Sequence, residues 1–412
     1  MNRVGFAREI REWTRQIEGS PAPVATASSN GKAPTLALEP DILTHFVETL
    51  HNCGVVGEDR LAKLIYLCLT SRVLHRPVSV VVKGPSSAGK SWVVERVLAF
   101  FPANAFYTLT AMSEHAMAYS TEPLQHRFLV LYEAAGLESD FASYLVRSLL
   151  SEGCIDYETV EKVKGGGLQP RRIHRDGPTG LVVTTTRVLL HPENETRLLS
   201  VTANDTAEQT KSVLRLLACE AEGNVAVPLG WHELQEWIPS RDNCVTVPFA
   251  EKLADLVPPV AVRLRRDFST VLSLVTAHAI LHQVTRDRDA GGRIVATVAD
   301  YAAVRALVHD LIADQVEATV QPEVREAVTA VVELYAELGH SVTYSALGKR
   351  LKLDTSAARR RALVALDRGY LKNEETRHRQ PAQLVSGEPL PGDSVVLPLP
   401  EELTSDGGDN GE

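Results

Sequence analysis

Hydrophobic residues in this chain follow two alternating patterns between about residues 41 and 225. Short runs carry apolar residues at consecutive positions: SVVVK (79–83), AFYTLTA (105–111), RFLVLYE (127–133), GLVVTTT (180–186) and RLLSVTA (197–203). Such runs are typical of parallel strands that are covered on both faces. Between them, apolar residues recur at helical spacing. The alternation predicts an α/β domain with a mostly parallel sheet.

The pattern becomes helical from Pro228 to about Thr319, where no run is typical of a strand. The stretches FSTVLSLVTAHAILHQV (268–284) and VADYAAVRALVHDLIADQV (298–316) carry apolar residues on a helical repeat. We therefore predict a second, helical domain over residues 226–320.

Beyond residue 321 the pattern indicates three helices followed by two β-like segments. The second of these helices is predicted over Ser345–Leu351, and Asp354 or Thr355 is expected to cap the third. The positions predicted to face inward are Leu363, Leu366 and Tyr370. This order resembles a winged helix-turn-helix.

The two ends of the chain differ in composition from the rest. Residues 1–18 can form a short amphipathic helix, and the Ser-, Ala- and Pro-rich stretch Gly19–Thr35 is typical of a flexible linker. The acidic stretch PEELTSDGGDNGE is predicted to be a disordered tail. The predicted segments are therefore 1–40, 41–225, 226–320, 321–398 and 399–412.

Composition and charge exclude several classes of protein. The 412 residues are 44% hydrophobic and 23% charged, as in an ordinary folded protein of two or three domains. No apolar run approaches the ~20 residues that cross a bilayer, and the first residues are charged, so we expect a cytoplasmic protein without membrane contact. The 5 cysteines show no C-x-x-C spacing, which indicates neither a zinc site nor a disulfide framework.

The strongest motif follows the first apolar run. GPSSAGKS matches G-x-x-x-x-G-K-[ST] between a predicted strand and a predicted helix, the arrangement of a phosphate-binding loop. In such a loop the backbone N–H groups point at phosphate oxygens, Lys90 supplies a positive charge, and the Ser91 hydroxyl can bind Mg²⁺. The residues predicted to hold the nucleotide are Gly84, Pro85, Ser86, Ser87, Ala88, Gly89, Lys90, Ser91 and Trp92.

Hydrolysis of a triphosphate also needs an acidic group at the end of a neighbouring strand. RFLVLYE ends in Glu133, which we predict as catalytic base, as metal ligand, or as both. Tyr132 stands where an aspartate usually precedes this glutamate, which leaves the metal with one ligand fewer. Glu138 and Asp140 are nearby alternatives.

Two further groups follow along the chain. GLVVTTT places Thr185 or Thr186 at the tip of a predicted strand, where a hydroxyl can position water near the γ-phosphate. Arg197 directly precedes the last apolar run, where it is either a surface charge or a group that stabilises transition-state charge on a triphosphate held by the next subunit.

These residues resemble the AAA+ ATPase family, and more narrowly the helicase-type members of prophages and integrative elements, which are relatives of the minichromosome maintenance helicases. The resemblance covers about residues 41–316 and rests on GPSSAGKS, LVLYEAAGLESDFASYLVRSLLSEG, GPTGLVVTTT, HPENETRLL and VRLRRDF. It implies a five-stranded core with a helical lid, acting as a ring that is usually a hexamer, with ATP between subunits. It further implies the following roles: Lys90 and Ser91 in the phosphate-binding loop, Glu133 as the Walker B acid, Thr185 as first sensor, Arg197 as arginine finger, and Arg265 or Arg266 as second sensor.

A hairpin is predicted between Glu133 and the threonine-rich run, with its turn at Gly165–Gly167. Its basic residues are Lys162, Lys164, Arg171, Arg172 and Arg175. In the helicase branch of the resembled family, a hairpin at this place projects into the pore of the ring and grips nucleic acid. Basic groups without base-reading side chains suit contact with phosphates of any sequence, whereas the alternative is a solvated surface hairpin.

The C-terminal segment is basic inside an acidic chain. Between Tyr344 and Gln380, 10 Lys and Arg against 4 Asp and Glu give +6, while the whole chain carries -9. The third helix presents Arg359, Arg360 and Arg361, with Lys349, Arg350 and Lys352 beside it. This concentration favours DNA contact over protein binding.

His278 and His282 lie four residues apart on a predicted helix. Without a third ligand at suitable spacing, we interpret them as ordinary helix residues and not as a metal site.

Taken together, the patterns favour an ATP-driven, ring-forming DNA motor of a mobile element that uses Mg²⁺. DNA and further copies of the chain are the expected partners, with a primase or loader as an additional one. An ATP-switched DNA-binding regulator or loader is the alternative, and a defence ATPase that senses foreign nucleic acid is a third interpretation.

Overall fold

The computed structural model describes residues 32–110, 112–113, 115–133, 139–162, 167–186, 195–219, 227–375, 377, 380–390 and 396–404. The predicted N-terminal helix, most of the linker, Glu138 and Lys164 lie outside these residues. Two compact units are present: one extends to Ala254 and includes Phe268–Val308 and residues from Leu399, and the other comprises Asp255–Asp267 and His309–Pro398. The segment predicted as a separate helical domain over 226–320 therefore contributes to both units.

The strands of the structure are β1 (Val80–Lys83), β2 (Phe106–Leu109), β3 (Arg127–Leu131), β4 (Cys154–Lys162), β5 (Leu168–Asp176), β6 (Thr179–Thr185), β7 (Leu199–Thr202), β8 (Val245–Thr246), β9 (Ile294–Val295), β10 (Leu371–Asn373) and β11 (Leu384–Ser386). The α-helices of the described residues are α1 (Ile42–Asn52), α2 (Asp59–Thr70), α3 (Lys90–Leu98), α4 (Ala116–Tyr119), α5 (Asp140–Glu152), α6 (Ala207–Cys219), α7 (Gly230–Trp237), α8 (Ala250–Leu256), α9 (Leu264–Leu281), α10 (Val298–Glu317), α11 (Pro322–Leu338), α12 (Tyr344–Leu351), α13 (Thr355–Asp367) and α14 (Pro400–Thr404).

A five-stranded sheet with the order β2-β3-β6-β1-β7 forms the centre of the first unit, and all its pairings are parallel. Val80, Val81 and Val82 are fully buried, because both faces of the sheet are covered. That is why apolar residues occupy consecutive positions in the sequence. The five predicted strands and the predicted α/β class with a parallel sheet are confirmed.

Side chains at the helix ends explain several of the observed boundaries. Asp41 accepts a hydrogen bond from the N–H of Thr44 at 3.0 Å and thereby caps α1. Ser139 caps α5 in the same way through Ala142 N–H at 3.1 Å. α5 then ends at Gly153, whose φ of 76° is favourable for glycine.

An aromatic cluster packs α1, α2, α7 and the chain after α3 together. Phe46 lies 4.3 Å from Tyr66 and 4.8 Å from Phe100 between ring centroids, and Phe100 lies 5.4 Å from Trp231. All four rings are buried. The cluster fixes the end of α1 and therefore the chain that follows it, which forms one wall of the site described below.

Two features differ from the sequence predictions in the first unit. The region predicted to lack strands contains the parallel pair β8–β9, in which Val245 lies opposite Ile294. Two-residue strands are too short to produce a recognisable pattern. Residues 400–404, predicted as part of a disordered tail, form α14, in which Leu403 is buried and its carbonyl accepts a hydrogen bond from Lys252 at 3.1 Å.

The second unit contains α11, α12 and α13, followed by the antiparallel pair β10–β11. Of the two predicted caps, Asp354 and Thr355, Asp354 caps α13 by accepting from the N–H groups of Ser356 and Ala357. The prediction that Leu363 faces inward is wrong, because its side chain is exposed. The buried positions of α13 are alanines, which let the helices approach closely: Ala358, Ala362 and Ala365.

Within the described part of the chain, no helix combines the length and hydrophobicity that crossing a membrane requires. Cys53 and Cys68 are buried free thiols.

Candidate functional site

The chain between β1 and α3 forms a tight turn with three residues in the left-handed region of backbone space. Gly84 has φ 151°, Ser87 has φ 70° and Gly89 has φ 77°. Glycine adopts these values without strain, whereas Ser87 does so at a cost that is typical of functional loops. Successive N–H groups in such a turn converge on one side and form a concavity that binds anions.

Lys90 begins α3 and is turned back over this loop. Its Nζ donates to the carbonyl oxygens of Gly84 at 2.9 Å and Pro85 at 2.7 Å, and only 6% of the residue is exposed. Ser91 follows in the first turn of the helix and is exposed. The N-terminus of α3, the loop amides and the ammonium group together favour a bound polyphosphate.

A cavity of about 500 Å³ opens beside the loop. Its walls are the loop itself, the chain between α1 and α2, and one face of α6. Away from the loop the lining is largely apolar: Val55, Val56, Trp92, Val93, Val213, Leu214 and Leu217. An apolar cavity next to an anion-binding loop has the chemistry that a nucleoside with attached phosphates requires.

Two hydrogen bonds between distant parts of the chain connect these walls. The carboxylate of Glu58 accepts from the N–H of Asn204 at 2.9 Å, and Gln209 Nε2 donates to the carbonyl of Val56 at 2.7 Å. Burial raises the pKa of Glu58 to about 7. The sequence did not indicate Glu58, Asn204 or Gln209, because nothing local marks residues about 150 positions apart as neighbours.

Gly57 lies under the Gln209 side chain. Its φ is 72°, and a Cβ at this position would lie 1.8 Å from Gln209 Oε1. Glycine at 57 therefore permits both the turn of the chain and the hydrogen bond from Gln209 to Val56.

The predicted acid Glu133 follows β3 and is exposed. Its φ is 77°, and its N–H donates to the Thr184 hydroxyl at 3.1 Å. The role predicted for Thr185 or Thr186, positioning water near the γ-phosphate, stays a prediction, and the hydroxyl that contacts the backbone of Glu133 is that of Thr184. Thr185 is buried on the opposite face of β6, because side chains alternate along a strand.

Tyr132 occupies the position where an aspartate was expected. It is half-buried, and both burial and the negative charge of Glu95 raise the pKa of its phenol. Tyr132 is therefore a neutral group at neutral pH. The Ser91 hydroxyl and the Glu133 carboxylate, which were predicted to hold Mg²⁺, are both exposed and are both of the hard oxygen type that this ion prefers.

The carboxyl ends of β3, β6 and β1 lie side by side, so Glu133, the threonines and the loop meet at one edge of the sheet. In the β1–β6 register Lys83 lies opposite Thr185, and in the β1–β7 register it lies opposite Thr202. Ligand sites of parallel sheets form at this edge.

Arg197 lies before β7 and is partly exposed. Its Nε donates to the hydroxyl of Ser151 at 2.7 Å, at the end of α5. Two residues earlier, Glu195 forms an ion pair with Lys83, the last residue of β1. The sequence singled out neither partner of this pair.

Arg265 and Arg266 lie in the first turn of α9 and are exposed. They belong to the second unit, whereas the phosphate-binding loop belongs to the first. Their role as second sensor stays a prediction.

The strands β4 and β5 pair as a hairpin, as predicted, and three of its arginines have partners within the chain. Arg172 forms an ion pair with Asp156, and Arg171 pairs with Glu161 at 2.8 Å. Arg175 is turned towards the carbonyls of the chain around α4, including that of Met117 at 2.9 Å. The described strands carry four basic residues, Lys162, Arg171, Arg172 and Arg175, against four acidic ones, Asp156, Glu158, Glu161 and Asp176. The described strands of the hairpin are therefore balanced in charge, and its contact with nucleic acid stays a prediction.

The three arginines of α13 have different surroundings. Arg361 forms an ion pair with Glu326 of α11 at 2.8 Å. The guanidinium of Arg359 lies 5.9 Å from the centroid of the Tyr344 ring, and Arg360 is exposed. Arg359 and Arg360 are thus the members of this set that face solvent.

His278 and His282 lie beside a third potential metal ligand, Asp300, which the sequence spacing did not indicate. Asp300 accepts from His278 Nδ1 at 2.7 Å, and the three residues form the one metal-type cluster in the described part of the chain. His282 Nδ1 donates to the carbonyl of His278 at 3.0 Å, and its Nε2 accepts from the N–H of Ile42 at 3.3 Å. Asp300 also accepts from Arg286 at 2.6 Å. These bonds describe a buried polar network.

No protein-family model and no curated protein matches the sequence. Similar solved structures include a full-length MCM homolog from Methanopyrus kandleri, with 15% identity and a TM-score of 0.39 over 71% of this chain and 63% of that one. They also include the active helicase SCCmec type IV Cch, with 12% identity and a TM-score of 0.38 over 84% of this chain and 70% of that one. The chain thus spans less than two thirds of the MCM homolog, and neither likeness is close enough to identify an activity.

Proposed function

We propose that the chain is an ATPase that holds ATP and Mg²⁺ at the loop 84–91 and hydrolyses it between copies of itself to move on DNA. The observation that carries the proposal is the phosphate-binding loop next to the apolar cavity of about 500 Å³. The loop accounts for the phosphates, and the cavity accounts for the base and sugar.

The residues of this chain divide the chemistry among them. The loop amides and Lys90 bind and orient the triphosphate, for which Lys90 gives up its bonds to Gly84 and Pro85. Ser91 and Glu133 would hold Mg²⁺, which supplies charge neutralisation on the phosphate oxygens. Glu133 would accept the proton of the attacking water, and the hydroxyl of Thr184 holds the backbone of Glu133 in place.

Arg197 is proposed to act on the triphosphate of a neighbouring copy. It precedes the amino end of β7, whereas the phosphate-binding loop follows the carboxyl end of β1, and its Nε donates to the Ser151 hydroxyl at 2.7 Å. A guanidinium supplied from outside a phosphate site stabilises the charge that develops in the transition state. Ring formation, a hexamer as the number of copies and a role for a mobile element belong to this proposal.

The first experiment tests nucleotide use. Lys90→Ala should abolish ATP binding or hydrolysis, while Lys63→Ala, which removes a lysine of α2, should leave both unchanged. If purified Lys90→Ala hydrolyses ATP at the wild-type rate, the loop is not the site.

The second experiment tests movement. Wild type should separate the strands of a forked DNA duplex in an ATP-dependent way, and its ATPase rate should rise with DNA. If neither occurs, the proposal that the chain moves on DNA is wrong.

An ATP-switched DNA-binding regulator or loader is the second candidate, and one observation favours it. Arg171 and Arg172 of the hairpin are paired with acids on the facing strand, whereas the second unit presents Arg359 and Arg360 to solvent. The second unit, proposed to be a winged helix, would then be the main DNA contact. ATP-dependent protection of one DNA sequence without strand separation would favour this candidate.

A further inference from the structure

The last residue of β1 is tied to the segment that carries Arg197. Lys83 and Glu195 form an ion pair in which the two side chains are only 14% and 19% exposed. A pair so shielded from water is screened little by salt, so each partner holds the other in place under ordinary ionic conditions. The pair is therefore a strong constraint on where residue 195 lies.

Arg197 is held on both sides of its position. Before it, Glu195 is fixed to Lys83. After it, Leu198 is buried, and the N–H of Leu199 donates to the carbonyl of Ser79 at 2.9 Å where β7 pairs with β1. The anchors are thus the last residue of β1 and the residue that precedes β1, and only a three-residue span lies between Glu195 and Leu199.

The carboxyl end of β1 also leads directly into the phosphate-binding loop. Lys83 is followed by Gly84, whose carbonyl accepts from Lys90, and Lys83 lies opposite Thr185 in the neighbouring strand. If Lys83 shifts when Lys90 moves to a phosphate, Glu195 would therefore shift with it, because the two side chains form an ion pair.

We propose that the Lys83–Glu195 ion pair positions Arg197 for the triphosphate of the neighbouring copy. Glu195 acts through Arg197 and does not touch the nucleotide, so it is a positioning residue. This inference rests on the proposed action of Arg197 between copies.

The experiment separates the two roles of one subunit by mixing variants. Arg197→Ala keeps its loop but lacks the arginine, and Lys90→Ala keeps the arginine but lacks a working loop. Each alone should be inactive, and the mixture should regain ATPase activity because Lys90→Ala subunits supply Arg197. Absence of any regain overturns the action of Arg197 between copies, and the present inference with it.

Glu195→Gln is then placed in one member of the mixture at a time. In the Lys90→Ala member it should lower the regained rate by about tenfold or more, because the arginine is misplaced. In the Arg197→Ala member it should change the rate by less than about twofold, since that subunit has no Arg197 to place at a neighbouring site. A general loss of folding would act in both members, so an equal loss in both, or no loss in either, overturns the inference while leaving the action of Arg197 standing.

Two further variants guard against unfolding as the cause. Lys83→Met in the Lys90→Ala member should reproduce the loss, and the exchanged pair Lys83→Glu with Glu195→Lys in that member should restore most of the rate. Glu122→Gln, which removes the partner of Arg127 at 3.4 Å elsewhere in the same unit, is the matched control and should leave the regained rate unchanged. Failure of the exchanged pair to exceed Glu195→Gln alone counts against the ion pair as the positioning contact.

Discussion

The backbone N–H of Glu133 donates to the hydroxyl of Thr184 at 3.1 Å, and this bond joins the ends of β3 and β6. Glu133 has φ 77°, a conformation that a residue with a side chain adopts at a cost of about 1 kcal/mol or more. The contact with Thr184 stabilises that conformation, which in turn directs the carboxylate of Glu133.

Thr184→Val should therefore slow ATP hydrolysis more than it weakens ATP binding. Valine keeps the shape of the side chain but cannot accept the N–H of Glu133, so we expect kcat to fall by about 10- to 100-fold with little change in KM. Steady-state ATPase kinetics with DNA present measure both constants.

Thr179→Val is the matched control at the other end of β6. The Thr179 hydroxyl donates to the Leu124 carbonyl at 2.9 Å, far from the strand tips, so its loss should cost about 1 kcal/mol of stability and leave kcat unchanged. Equal kcat values for Thr184→Val and wild type would remove Thr184 from the proposed mechanism.

Gly57→Ala should weaken nucleotide binding. The new Cβ would lie 1.8 Å from Gln209 Oε1, and residue 57 would be strained at φ 72°, so the Gln209 side chain, which lines the cavity, must turn away and lose its bond to Val56. Gly153→Ala is the control, because its φ is 76° but nothing lies within 4 Å of the added carbon. Titration with a fluorescent ATP analogue should show an affinity loss for Gly57→Ala alone, whereas both variants lose about 1 kcal/mol of stability.

Gln209→Ala added to Gly57→Ala should recover part of the stability lost by Gly57→Ala. The smaller side chain removes the collision, and only the strain of the positive φ remains. If thermal unfolding shows no recovery in the double variant, the collision is not the cause.

Arg360→Ala should weaken DNA binding by the full chain, and Arg361→Ala should not. Arg360 is exposed, whereas Arg361 is paired with Glu326 at 2.8 Å. Anisotropy titrations of duplex DNA at several salt concentrations should show a salt dependence that is reduced by about one ion for Arg360→Ala. A stronger effect of Arg361→Ala than of Arg360→Ala would contradict the proposed contact surface.

The free energy of unfolding should decrease as the solution is acidified, because His282 is held neutral in the folded protein. Burial, with the charge of His278, lowers the pKa of His282 from 6.5 to about 4, so the unfolded chain binds a proton between these pH values that the folded chain does not. The free energy of unfolding should therefore decrease as the pH falls from 6.5 to 4, by up to about 3 kcal/mol from this group.

His282→Gln isolates this contribution, because glutamine can still accept from the N–H of Ile42 but does not titrate. Denaturant unfolding of both proteins should be measured at pH 7, 6, 5 and 4. As the pH falls, the free energy of unfolding of the wild type should decrease relative to that of the variant. A constant difference would mean that His282 titrates normally in the folded protein.

The sequence determined the parts of this protein that depend on local pattern. The five parallel strands, the loop 84–91 and the Asp354 cap were all predicted, because burial on both faces of a sheet, glycine geometry and helix capping each leave a signature within a few residues. Glu133 was predicted to follow β3 for the same reason.

Only the tertiary structure decided which distant residues meet. It brought the Thr184 hydroxyl to the N–H of Glu133, and it joined Glu58 to Asn204 and Lys83 to Glu195. It also paired Arg171 and Arg172 of the hairpin with acids on the facing strand. None of these contacts has a sequence signature, because the register of paired strands and the packing of loops are set by the whole chain and not by its neighbours along it. For the same reason Leu363 proved exposed while small alanines form the buried face of α13.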